Sequence, residues 1–234
     1  MARPKVKLYV DVVSPFAYLA YYILRNHEVF KACDVTYVPI FLGGLLHKCG
    51  NSAPVGVKNK AEYIAKERQR WAALFNVPMV RDPPADFPAP TLPLQRALSV
   101  LADEDAAAGG DQGQTKLVKA LDEFYARHWG RGEAVHKPEV MKEVLAGLFG
   151  EVEAERVLAA LPTRGKQLLI ANTDAAFADG GFGLPWMVCT NAAGETEGFF
   201  GVDHLGRVAQ FLGLERPEGA AAAEKGEKGW RAVL

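Results

Sequence analysis

Ser14 is the first residue whose type and setting invite chemistry. It follows an apolar, β-branched run over residues 6–12 and is followed at once by Pro15. Proline suits the first position of a helix, because the N–H it lacks is one the helix leaves unbonded anyway. A serine just before it is a good N-cap. Backbone N–H groups at such a turn, with the helix dipole behind them, favour an anion. The stretch Ser14-Pro15-Phe16-Ala17 contains no thiol, so a thiolate stabilised here must come from a ligand. Lowering a thiol pKa by about two units from about 8.5 takes roughly 2.7 kcal/mol. One charge-assisted hydrogen bond and a helix terminus together supply about that much.

A second candidate is Gly183-Leu184-Pro185, where proline opens a strand-like run. A cis X–Pro bond occurs in only about 5–6% of cases, but in the thioredoxin architecture a cis-proline sits beside the active turn and exposes the preceding main chain; on that fold Leu184 would pair with an extended ligand like an added strand. The remaining candidates have plainer explanations beside their chemical ones. Asn51 after Gly50 suits a turn, Lys60 a solvated surface and Asp203 the N-cap of the last helix. His47, His128, His136 and His204 lack metal-ligand spacing, and Trp71, Trp129 and Trp186 suit core or interface. Cys33, Cys49 and Cys189 form an odd, sparse set without C-x-x-C, which argues against a disulfide scaffold and a zinc site and for a reducing compartment. Cys49, close to Asn51, is the one thiol that approaches the site, with a structural role as its default.

The elements that must position these residues follow from the pattern. Residues 6–12 read as a buried strand, 16–30 as a helix and 35–41 as a second strand, a right-handed β-α-β unit with parallel strands. From 43 to 179 the character is helical, with helices over 60–75, 91–107, 114–129 and 140–149. Gly109-Gly110-Asp111 separates two of them, and the proline-rich stretch 81–93 is an extended loop. Strands over 185–190 and 196–200 flank a hairpin turn at Asn191-Ala192-Ala193-Gly194, and a last helix covers 202–212. The fold class is therefore α/β, a thioredoxin-like domain with a large all-helical domain inserted after the first β-α-β unit. Residues 1–42 and 180–214 would build the thioredoxin-like part, 43–179 the helical insertion and 215–234 a poorly ordered tail. In thioredoxin-like oxidoreductases the Ser14 turn carries a reactive C-x-x-C. Its loss leaves a site for a thiolate supplied from outside, and glutathione is the natural source.

The whole-chain properties exclude several classes. A net charge of −1 over 234 residues gives no footprint for nucleic acid or an acidic membrane. No apolar run approaches the roughly 20 residues of a membrane-spanning helix. The start, Met1-Ala2-Arg3-Pro4-Lys5, runs straight into a strand and leaves no room for a leader, and the ending is not a Ser-Lys-Leu address. The expected location is the cytoplasm, with mitochondrion and peroxisome as alternatives.

Asp11-Val12-Val13-Ser14-Pro15-Phe16, Gly50-Asn51 with Pro54, Lys60 with Tyr63, Phe182-Gly183-Leu184-Pro185 and Phe200-Gly201-Val202-Asp203 together resemble kappa-class glutathione transferases. The resemblance is collinear over about residues 5–214. It implies that Ser14 is the catalytic serine on the glutathione sulfur. It implies that Asn51 and Lys60 hold the glycine end, with Lys58 close enough to leave the register open. Leu184, before the cis-proline Pro185, pairs with the cysteinyl part, and Asp203 binds the γ-glutamyl ammonium. Val202 stands where the family has a serine on the γ-glutamyl carboxylate, so binding is expected to be weaker or altered. Glutathione is then a co-substrate, no metal is needed, and the protein is a homodimer. The helical part would roof an apolar pocket, lined by Tyr63, Trp71, Phe75 and the 81–93 loop, for a small electrophile to be conjugated or a peroxide to be reduced. The rivals are a glutathione-dependent isomerase of the 2-hydroxychromene-2-carboxylate type and a non-catalytic binding protein on the same scaffold.

Overall fold

The strand β1, Lys5–Val10, alternates in the way a sheet buried on both faces requires. Val6, Leu8 and Val10 enter one core, while Tyr9 enters another with Ile40, Leu45, Ala176, Leu184 and Trp186. The computed structural model describes residues 2–84, 86–109 and 113–215. The expected tail beyond Glu215, and the Gly110-Asp111 part of the expected separator, lie outside the described residues.

The element order is β1, α1 (Pro15–Asn26), β2 (Asp34–Pro39), α2 (Leu42–Lys48), α3 (Lys60–Leu74), α4 (Leu92–Ala107), α5 (Thr115–Tyr125), α6 (Pro138–Phe149), α7 (Glu151–Ala159), α8 (Lys166–Ala178), β3 (Trp186–Thr190), β4 (Thr196–Phe200) and α9 (Leu205–Phe211). The sheet order is β2-β1-β3-β4, with β1 parallel to β2 and antiparallel to β3. Val6 faces Val35 on one side and Cys189 on the other. This is the thioredoxin-like α/β arrangement, with the helices α2 to α8 intervening between the second and third strands.

The larger core joins the sheet to the helices. Leu94, Ala97, Leu98 and Leu101 of α4 and Leu117, Ala120, Leu121 and Phe124 of α5 are buried at the three- and four-residue spacing of helix faces. In the hairpin, a Cβ on Gly198 would lie 2.6 Å from the Trp186 ring. Only glycine lets β4 pass that close.

Three elements depart from the sequence reading. The helix expected over 16–30 ends at Asn26; His27 is extended and packs edge-on to Phe75 before a 3₁₀ segment Glu28–Ala32. The helix expected over 114–129 breaks at Tyr125 into a wide π-helical turn, Ala126–Gly130. That turn lets the Trp129 Nε1–H reach the carbonyl of Val12 at 2.8 Å. The last helix opens as a 3₁₀ turn, Val202–His204, entered from Gly201 at φ +93°, a backbone geometry that favours glycine.

Candidate functional site

The chain turns sharply where β1 runs into α1, and the turn is held from below. Ser14 N–H donates to the carbonyl of Asp11 at 3.0 Å. The Asp11 carboxylate is fully buried. It accepts hydrogen bonds from Val13 N, Leu42 N, Thr91 Oγ1 and Gln95 Nε2, all between 2.8 and 3.1 Å. Burial pushes its pKa up, against the opposing effect of those bonds. One carboxylate thereby ties the turn to the starts of α2 and α4.

Ser14 has extended backbone, and its Oγ accepts the Ala17 N–H at 3.2 Å, as an N-cap should. A hydroxyl accepts and donates at once, so capping leaves the Ser14 O–H proton for a ligand. The side chain is 6% exposed at the mouth of a helix with no acidic residue in its first turn. An anion there meets a hydroxyl donor and the positive end of the α1 dipole.

The Leu184–Pro185 bond is cis, as expected. The Pro185 carbonyl accepts from Gly201 N–H at 3.1 Å, whereas no backbone hydrogen bond among the described residues engages Leu184. Both of its main-chain polar groups are available to an extended peptide.

A cavity of about 320 Å³ collects Ser14, Asn51, Lys60 and Leu184. Its remaining wall is mostly apolar, with Phe16, Leu42, Leu46, Ile64, Phe87 and Phe200 among its members. Asn51 Nδ2 donates to the Phe182 carbonyl at 2.9 Å, and its Oδ1 receives Ser52 N–H, so it ties two loops together at the cavity edge. Lys58 is exposed and does not line the cavity, whereas Lys60 does. Pro185 follows Leu184 without lining it. Val202 is 2% exposed and packs into the larger core. Asp203 is exposed beside His204 at 3.5 Å, three residues beyond Phe200. Cys49 Sγ donates to the Gly181 carbonyl at 3.3 Å and is not in the cavity wall.

The expected roof is only partly present. The 81–93 loop contributes Phe87 and Pro88, but Tyr63, Trp71 and Phe75 do not line the cavity. Tyr63 lies off the face of α3 that carries Lys60 and Ile64, and is 59% exposed. Trp71 and Phe75 continue that face and stack at 6.2 Å, but stand about 10 and 16 Å further along the axis than Ile64 at 1.5 Å per residue. The sequence reading missed Asp11, Leu42, Leu46 and Ile64. The signals were Leu42 with Leu46 and Lys60 with Ile64, each four residues apart. Among the described residues no group of three or more His, Cys, Asp or Glu side chains is placed to hold a metal ion. No helix among them is long and apolar enough to cross a membrane.

Comparison with known proteins gives four findings. Residues 5–213 match the family described as DSBA-like thioredoxin domain. The chain is 28% identical over 218 residues to glutathione S-transferase kappa 1 of Rattus norvegicus, covering 90% of this chain and 92% of the relative. It is 25% identical over 209 residues to 2-hydroxychromene-2-carboxylate isomerase of Sphingobium xenophagum, covering 88% and 97%. Among solved structures, a selenomethionine 2-hydroxychromene-2-carboxylate isomerase superposes with a TM-score of 0.69 at 23% identity, covering 89% of this chain and 94% of that one.

Proposed function

The chain belongs to the DSBA-like thioredoxin domain family, and we propose that within it the protein is a kappa-class glutathione transferase. The observation that carries this is a capping serine, with its O–H free, at the turn where the family's oxidoreductases have a thiol. Beside it lies Leu184, just before β3 and a cis-proline, with no backbone hydrogen bond among the described residues engaging its main chain. The near full-length likeness to a kappa transferase supports it.

The residues present suit glutathione. The Leu184 main chain pairs with the cysteinyl unit, which lays the sulfur against Ser14. The Ser14 O–H and the α1 terminus stabilise the thiolate. Lys60 takes the glycine carboxylate at the start of α3, beside Asn51. Asp203 takes the γ-glutamyl ammonium. The γ-glutamyl carboxylate then relies on backbone N–H groups at the Val202–His204 turn, since Val202 has no hydroxyl to offer. The bound thiolate attacks the electrophilic carbon of an aryl halide; the C–S bond forms as the halide leaves with the electron pair. No covalent bond to the protein is formed, and the rate gain comes from thiolate stabilisation and positioning. The chain acts as a homodimer, as the kappa resemblance implies.

The test is glutathione conjugation of an aryl halide by wild type and Ser14→Ala, with calorimetric binding of glutathione. Turnover is expected to fall about 30-fold, the rate equivalent of the roughly 2 kcal/mol that one charge-assisted hydrogen bond supplies while the α1 terminus remains, and affinity read at about pH 6.5 or below stays within about two-fold. Binding without conjugation points to the second reading, the isomerase, which the Sphingobium relative favours. No binding at all leaves a scaffold whose ligand is not glutathione.

A further inference from the structure

The face of α3 that carries Lys60 and Ile64 continues to Arg68, four residues on. Lys60 and Ile64 line the Ser14 cavity, whereas Ile64 and Arg68 line a second cavity of about 200 Å³. The two share Pro15, Val55, Ile64, Phe87 and Pro88, so the second adjoins the first alongside the catalytic turn. Apart from Arg68, its wall is apolar and includes the indole of Trp129.

Arg68 is an unusual residue for such a wall. It is 3% exposed, and burial lowers its pKa. A guanidinium stays charged in proteins all the same and carries five N–H donors. Nη1 donates to the carbonyl of Val80 at 2.9 Å, Nη2 donates to that of Arg81, and the group sits 5.5 Å from the Trp129 ring centre. Asp82 acts on it electrostatically, but the Arg68 hydrogen bonds among the described residues go to backbone carbonyls and none to a carboxylate. A buried charge without an ion-pair partner is costly. A methionine would fill the same apolar wall without that cost. An apolar slot ending in one under-paired cation matches a flat apolar ligand with an anionic end. An apolar cavity of about 150 Å³ accepts benzene, so this one has room for a substituted ring.

We propose that this second cavity is the second-substrate subsite and that it takes an aromatic or conjugated acid, whose carboxylate is held by Arg68. The assignment to the second substrate rests on glutathione occupying the Ser14 cavity. The carboxylate in this subsite directs the ring across Pro15 toward the sulfur. The same selectivity serves a conjugation or an isomerisation, because it concerns the end of the substrate away from the reacting carbon.

The test is equilibrium binding of 4-nitrobenzoate and its neutral isostere 4-nitrobenzamide to the full chain, by calorimetry, with glutathione titrated separately. Wild type is expected to bind the acid at least ten-fold more tightly than the amide. Arg68→Met is expected to abolish that preference, leaving amide binding within about two-fold, and Arg68→Lys to keep part of it. Equal affinities in wild type overturn the proposal, whatever the variants do to folding. So does an Arg68→Met protein that loses both ligands equally while still melting cooperatively, since Arg68 would then only pin the Val80–Arg81 backbone. Glutathione binding without acid preference sinks this inference alone. Acid preference without glutathione binding upholds the Arg68 pocket and sinks the glutathione assignment.

Discussion

At the scale of single residues, Ser14 performs two tasks with one oxygen, accepting from Ala17 N–H and keeping a proton to donate. The two tasks separate on mutation. Ser14→Ala should cost about 1 kcal/mol of stability as a lost cap, seen as a fall of roughly 2–4 °C in melting temperature. The loss of turnover is a separate effect, which should show as an upward shift of the acidic limb of the kcat pH profile as the bound thiol pKa rises. Lys60 and Lys58 decide the register of the glycine end. Lys60→Ala should raise the glutathione Kd about 5- to 10-fold, and Lys58→Ala should leave it unchanged; the reverse pattern in calorimetry would move the contact to Lys58. Ser14 and Leu184 were legible because helix capping and X–Pro geometry are local. Asp11 and Arg68 were not. In sequence Asp11 looks like part of a turn and Arg68 like one more solvated charge between Glu67 and Arg70. Their importance arises from burial, which depends on α4 and Trp129 far along the chain.

At the scale of elements, the β-α-β unit and the hairpin were readable because a period of two and a Gly-containing turn are short-range signals. The π-helical turn Ala126–Gly130 was not, since widening a helix by one residue leaves composition and charge pattern untouched. It aims Trp129 at Val12 and buries His128. His128 has to donate from Nδ1, because its partner at 3.1 Å, the Glu133 carbonyl, can only accept. Burial first, and His136 to a lesser extent, hold its pKa down at about 4 against 6.5. Between those values the unfolded chain binds a proton that the folded chain refuses, so stability falls as pH drops through the window. From pH 7 to pH 5 this contributes a loss of about 2 kcal/mol. The difference between wild type and His128→Asn in urea midpoint should carry that dependence; parallel curves for the two proteins would show that His128 does not titrate as described.

At the scale of the whole molecule, the site depends on parts of the chain that are distant in sequence. Ser14 comes from the first strand-helix turn, Lys60 and Ile64 from the helical region, Phe87 from the proline-rich loop and Leu184 from the return to the sheet. A two-sided sheet makes this economical, since β1 packs against both cores and its end is pinned by Asp11 to α2 and α4. The sequence order was enough to recognise the interrupted architecture, but not which face of α3 turns inward, because 60–75 carries charges on several sides. A ligand that bridges such separate segments binds the folded chain and not the unfolded one. At about 100 times its Kd, glutathione should therefore stabilise the protein by roughly 2.7 kcal/mol, an upward melting shift of about 5–10 °C for a chain of this size. On the proposed assignment the same shift should persist in Ser14→Ala, because there the serine acts on the thiol's ionisation while Leu184, Lys60 and Asp203 hold the tripeptide. A shift abolished in Ser14→Ala, with the variant still folded, would mean that most of the binding energy passes through the sulfur rather than through the Leu184 main chain and the charged ends.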